Sequence, residues 1–89
     1  MLFHEIEKNS LISSEYDIWC TPGNPNKKYI FSSMNYKLIK KNSILLVVHV
    51  NIGSTFKENY IVCIVNNKVF YIQNSMPNNN LDNHFKKLL

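Results

Sequence analysis

Three histidines, two cysteines and six carboxylates are the groups in this sequence that could ligate a metal or act on a substrate. His4, His49 and His84 share no i, i+4 interval and lie on three separate segments, so local geometry sets none of them up as a zinc pair. His49, inside an apolar run, reads as a hydrogen-bonded histidine at a strand end. Cys20 and Cys63 are forty-three positions apart and neither belongs to a Cys-x-x-Cys pair, which argues against structural zinc. They fit reduced thiols in a core. The alternative, in an oxidising compartment, is one long-range disulfide worth about 3–4 kcal/mol in the entropic account. Both cysteines fall in strand-like patterns, where burial raises the thiol pKa and removes the nucleophile. Glu5, Glu7, Glu15, Asp17, Glu58 and Asp82 include no pair facing each other on predicted strands, and Gly23 and Gly53 are too few for a phosphate loop. The expectation is a protein that is not an enzyme, with no metal and no cofactor.

Residues suited to binding are more numerous. Lysine pairs occur at Lys27-Lys28, Lys40-Lys41 and Lys86-Lys87, and Tyr29, Phe31 and Tyr36 lie near the first two. Lysines for phosphates beside aromatics for stacking are the general form of a single-strand nucleic-acid surface, made of Lys27, Lys28, Tyr29, Phe31 and Tyr36. Against it, adjacent lysines also suit solvated turns, and arginine, the side chain for bidentate base contacts, is absent. The net charge of +4 is consistent with an acidic partner without requiring one.

The scaffold that must position these groups is small. Eighty-nine residues make one domain with one core. Apolar residues at 45% and charged residues at 18% are too apolar a mixture for disorder, and no run approaches the ~18 apolar residues of a membrane span. Acidic residues near the start, with no apolar stretch after them, predict an unexported, cytoplasmic protein. Fourteen Asn, ten Lys and ten Ile against no Arg and no Ala indicate AT-rich coding, as in a phage, a symbiont or a parasite. In such a composition Asn can stand where other sequences use Gly.

Residues 1–15 read as an N-terminal segment in which Phe3 and Ile6 allow one or two helical turns or a short strand. Tyr16 to Cys20 reads as a first strand, ended by the Thr21-Pro22-Gly23-Asn24-Pro25-Asn26 loop. Trp19 is expected to anchor the core or, alternatively, to line a shallow groove. A short strand at Tyr29–Phe31 and the apolar stretch Lys37–Ile39 lead to Ile44–Val50, seven β-branched or apolar residues that form a buried strand. Strands follow at 60–65 and 68–73. Only Asn66 and Asn67 separate them, the residue type that best replaces glycine in a type I′ hairpin turn. Leu81, Phe85 and Leu88 then fall at helical spacing, with Asn80 as N-cap, predicting a C-terminal helix over 77–89.

From Asp17 to Met76 the order of features resembles the bacterial variant of the Src-homology-three barrel. The resemblance rests on Trp19-Cys20-Thr21-Pro22-Gly23, on Leu38 to Ser43 as a lysine-rich diverging turn, on Ile44 to Val50, on Tyr60 to Lys68, and on Phe70-Tyr71-Ile72. Asn42, Asn67 and Phe70 replace glycines of that pattern; the first two suit positive φ, whereas Phe70 adds bulk. The resemblance implies a mostly β protein: an antiparallel barrel of five or six strands over 16–76, flanked by short terminal helical segments. It implies recognition without chemistry. The runner-up architecture is a β-sandwich or a two-layer α+β sheet.

If the family pattern turns Leu45, Val47, Ile61, Cys63 and Val65 inward, then Ile44, Leu46, Val48, Val62 and Ile64 point outward. Five apolar side chains on that face need a cover. Either a terminal segment packs over them, or they are the centre of an interface with a protein partner or a second copy, rimmed by Lys40 and Lys41.

Overall fold

The computed structural model describes residues 1–23, 36–75 and 78–89. Seven strands, β1 (Leu11–Ser14), β2 (Ile18–Pro22), β3 (Lys37–Ile39), β4 (Ile44–Asn51), β5 (Tyr60–Val65), β6 (Lys68–Gln73) and β7 (Phe85–Lys87), form one antiparallel sheet. Their order is β3-β2-β6-β5-β4-β1-β7, and the sheet curls into a half-barrel. Helix is confined, among the described residues, to the single 3-10 turns Phe3–Glu5 and Phe56–Glu58.

The centre of the sheet is the β4-β5-β6 meander. Its tightest element is the β5–β6 hairpin, where Val65 pairs with Lys68 and the two residues between them, Asn66 and Asn67, have φ of 51° and 65°. Positive φ at both is what a two-residue turn with the right twist demands. Asn42, in the turn before β4, has φ of 70°, a conformation that asparagine adopts more readily than most non-glycine residues. That turn is held by Ser14. Its N–H and C=O bond Ser43 and Asn42, while its buried hydroxyl donates to the Lys40 carbonyl (2.8 Å) and accepts from the Ser43 N–H (3.2 Å).

Alternation along β4 and β5 turns Leu45, Val47, Ile61, Cys63 and Val65 to the concave side, where they join a core with Ile12, Ile18, Cys20, Ile39 and Ile72. A β-bulge between Val47 and His49 then re-phases β4. Beyond it Val50, opposite Ile61, packs against the core, and His49, opposite Val62, is on the outer side with its ring 5.9 Å from Tyr60. The extra residue is Val48.

Several expectations are corrected. Among the described residues the barrel of five or six strands is a seven-stranded sheet, because β1 arises from the N-terminal segment, expected as helical turns or a short strand, and β7 from a segment expected to be helical. The C-terminal helix over 77–89 is absent: residues 81–84 turn, and Phe85–Lys87 pairs with β1, Phe85 lying opposite Ser14. Leu81 and Phe85 do bury their side chains, but from a turn and a strand rather than from one helical face, and Leu88 is left exposed. The N-terminal helix shrinks to one 3-10 turn. Thr21 and Pro22 belong to β2, pairing with Tyr71 and Phe70. The ladder tolerates Pro22 because Gly23 N–H bonds Val69 C=O, so by alternation the missing N–H of Pro22 lies on the other side, past the last β2–β3 pair at Cys20 and Lys37. Trp19 is 45% exposed instead of anchoring the core. The Tyr29–Phe31 strand lies outside the described residues.

Two stability predictions follow from this architecture. Phe85→Ala should cost about 3–5 kcal/mol in urea unfolding, as for a fully buried aromatic, whereas Leu88→Ala should change stability by no more than about 0.5 kcal/mol. A helix presenting 81, 85 and 88 together would make both costly. At the hairpin, Asn67→Val should lose about 1–2 kcal/mol through the left-handed backbone, while Asn67→Gly should retain full stability under the same titration.

Candidate functional site

The outer, convex face of the sheet divides into two halves. In one, His49, Val62, Tyr71 and Thr21 form a row across β4, β5, β6 and β2 by direct pairing. Val62, Tyr71 and Thr21 are buried there, and Tyr60 meets Tyr71 edge to face at 4.9 Å. Strand β5 is thus apolar on both faces, which is why it reads as an unbroken apolar run.

The other half is open. Leu11 pairs with Leu46, Leu46 with Ile64, and Ile64 with Val69. Leu88, just past β7, donates its N–H to the Leu11 carbonyl at 2.9 Å and extends the row by one strand. The result is an apolar ribbon across β7, β1, β4, β5 and β6, about 19 Å long at the usual strand spacing. Leu88, Leu46 and Val69 are each roughly 40% exposed, Leu11 and Ile64 are half-buried, and Ile44, two residues before Leu46, is 59% exposed.

Of the residues nominated for a partner, Ile44, Leu46 and Ile64 therefore share this open half, with half-buried Val48 at the bulge. Val62 is 3% exposed and belongs to the covered half. Lys40 and Lys41 are exposed in the turn leading into Ile44, where the Lys41 N–H is bonded by the Asp17 carboxylate at 2.8 Å. The expected C-terminal cover does not lie over the patch: Leu81 and Phe85 are in the core on the opposite side of the sheet. Sequence reasoning missed Leu11, Leu88 and Val69. The cross-strand register that aligns them is a tertiary property, and Leu11 and Val69 carried no signal beyond being apolar.

No family model, curated protein or solved structure matches the chain. Function has to be read from surfaces and clefts. Lys27, Lys28, Tyr29 and Phe31, nominated for nucleic acid, lie outside the described residues; Tyr36 is half-buried just before β3.

A cleft of about 360 Å³ opens between β3, the 40–43 turn and the hairpin tip, lined by Leu38, Ile39, Lys40, Ser43, Val65, Asn66, Lys68 and Phe70. A second, of about 520 Å³, is lined by Pro22, Gly23, Lys37, Lys68, Val69 and Phe70. The two share Lys68 and Phe70.

Among the described residues no three His, Cys, Asp or Glu side chains gather as a metal site, and no helix is long and apolar enough to cross a membrane. The rings of His84 and Tyr16 meet tilted at 52° with centroids 4.9 Å apart, and the His84 Nδ1 lies 3.0 Å from the Asp82 carbonyl. Cys20 and Cys63 are free thiols buried in the same core. Burial pushes the Cys20 pKa up to about 12, and raises that of Cys63 by burial first and by the neighbouring Cys20 second.

Both thiols should therefore react slowly with iodoacetamide at mildly alkaline pH in the folded protein and rapidly in urea. Linkage has a definite sign. Folding raises both values above the unfolded-chain value of about 8.5, so the folded state holds protons that the unfolded state releases. Their stabilising contribution is complete below that pH and erodes as pH climbs toward 12. Urea midpoints measured against pH should fall across this window, and a Cys20→Ser, Cys63→Ala double variant should fall less.

Proposed function

We propose that this chain is a non-enzymatic interaction module that binds another protein through the open half of its convex face. The observation that carries the reading is the apolar ribbon from Leu88 to Val69, with Ile44 beside it. Soluble monomers rarely leave contiguous apolar surface beyond roughly 300–600 Å² uncovered, and such patches commonly mark interaction sites. Ile44, Leu46 and Ile64 form its centre, and Lys40 and Lys41 a polar rim.

The order of strands from β2 to β6, the lysine-bearing turn at 40–43 and the Asn66-Asn67 hairpin also support a Src-homology-three-like barrel as the ancestry of the central sheet. Small size and AT-rich composition suit a phage-encoded effector that engages a host or virion protein.

Chemical cross-linking of the purified chain in an extract of its source cells tests the proposal, with adducts read by mass. Leu46→Glu, at an exposed position, should change stability by no more than about 1 kcal/mol and should abolish the adduct formed by the wild type. Lys57→Glu, at the opposite end of β5, should leave it intact. An adduct at twice the chain mass identifies a second copy as the partner. Absence of any adduct, or an adduct indifferent to Leu46→Glu in a variant with native circular dichroism, overturns the reading.

A further inference from the structure

The two clefts at the hairpin end are separate from the centre of the convex face and differ from it in chemistry. Each has an apolar floor: Leu38, Ile39, Val65 and Phe70 in one, Pro22, Val69 and Phe70 in the other. Three lysines, Lys37, Lys40 and Lys68, line them, and no carboxylate does. All three are exposed. Chain-wide, ten lysines face six carboxylates, so the local excess of positive charge is not cancelled at longer range.

We propose that the paired clefts form a second binding site, which takes an extended acidic peptide segment with apolar residues at alternate positions. The commitment follows from charge and shape. Side chains i and i+2 of an extended strand point the same way about 6.6–6.8 Å apart, and two adjoining clefts that share Lys68 and Phe70 present neighbouring apolar floors to such a pair. The intervening acidic residues point away from the floors, toward the rims, where the long, exposed side chains of Lys37, Lys40 and Lys68 can reach them, while Asn66 and Ser43 offer side-chain hydrogen bonds at the hairpin end.

A nucleic-acid strand fits less well. Successive bases need a series of aromatic platforms, and among the described residues the lining supplies one ring, half-buried Phe70. The proposal goes beyond the convex-face reading and uses different residues apart from Val69, where ribbon and cleft adjoin, and Lys40, at the rim of both.

Fluorescence anisotropy with a fluorescein-labelled decapeptide of alternating glutamate and leucine tests it. Saturable binding below about 1 mM is expected, weakened by about ten-fold in Lys37→Glu/Lys68→Glu and by a similar factor when the peptide glutamates become glutamines. Lys37→Gln/Lys68→Gln, which only removes charge, should show an intermediate loss and guards against misfolding of the charge reversal. Leu46→Glu should bind as the wild type does, which separates this site from the convex face. No saturable binding overturns the proposal, as does binding unaffected by the lysine variants. Tighter binding of oligothymidylate than of the peptide, lost in the same variants, overturns it in favour of a nucleic-acid groove.

Discussion

Phe3 and Phe85 meet with ring centroids 6.2 Å apart and close the concave side of the sheet, and the rest of the fold depends on that closure. The two rings come from opposite ends of the chain and are 1% and 3% exposed. Phe3 is presented by a single 3-10 turn, whose preceding Leu2 N–H bonds the Glu5 carboxylate at 2.6 Å, while the Asp82 carboxylate accepts the Phe3 N–H at 2.8 Å. Phe85 is presented by β7, which exists only because β1 offers it an edge. The Asn83 N–H donates to the Met1 carbonyl, which completes the clasp. A domain of this size buries a smaller share of its surface than a larger one, and the core is completed by recruiting both termini.

Asparagine does much of the backbone work that glycine does elsewhere. Asn9, Asn42, Asn66, Asn67, Asn79 and Asn83 all have positive φ, in a chain with only two glycines. Other asparagines act through their amides. Asn78 accepts the Trp19 N–H at 2.9 Å and donates to the Trp19 carbonyl at 2.6 Å, serving as a strand partner between β2 and β6. Asn74, 1% exposed, accepts the Leu81 N–H and donates its own N–H to Asn59, whose side chain accepts from Gly53. A compositional bias has thus been absorbed into turns and loop ties.

The central meander was legible in the sequence because its signals are local. A seven-residue apolar run, two six-residue runs and an Asn-Asn turn between them determine β4, β5, β6 and the parity of the inward residues with little help from distant contacts. What was not legible was set by partners far along the chain. The Lys86-Lys87 pair gives a three-residue strand no pattern of its own, and the spacing of Leu81, Phe85 and Leu88 fits a helix as well as a turn followed by a strand. The bulge at Val48 leaves no mark in a stretch where every residue but His49 is apolar. Trp19 has the composition of a core residue, but its parity on β2 places it outside, opposite Leu38. On the candidate surface, Ile44, Leu46 and Ile64 followed from period two. Adding Leu11, Leu88 and Val69 required the register of five strands.

The same geometry explains why the proposed binding surface falls on a face rather than an edge. The outermost strands of the described sheet, β3 and β7, have three residues each and carry Lys37, Lys86 and Lys87, and Lys87 has the inward parity of Ile12 opposite it. Short, lysine-bearing edges resist extension by another strand, which removes the simplest route to sheet-mediated association. The concave face is consumed by the core. On the convex face Val62, Tyr71 and Thr21 are buried, and the Leu46 row one pair farther along is not. Apolar side chains in that row lie outside the core cluster, and they are what the proposed interface would cover. Position within the sheet, more than any single residue, marks the proposed interface and ties it to the curvature that builds the core.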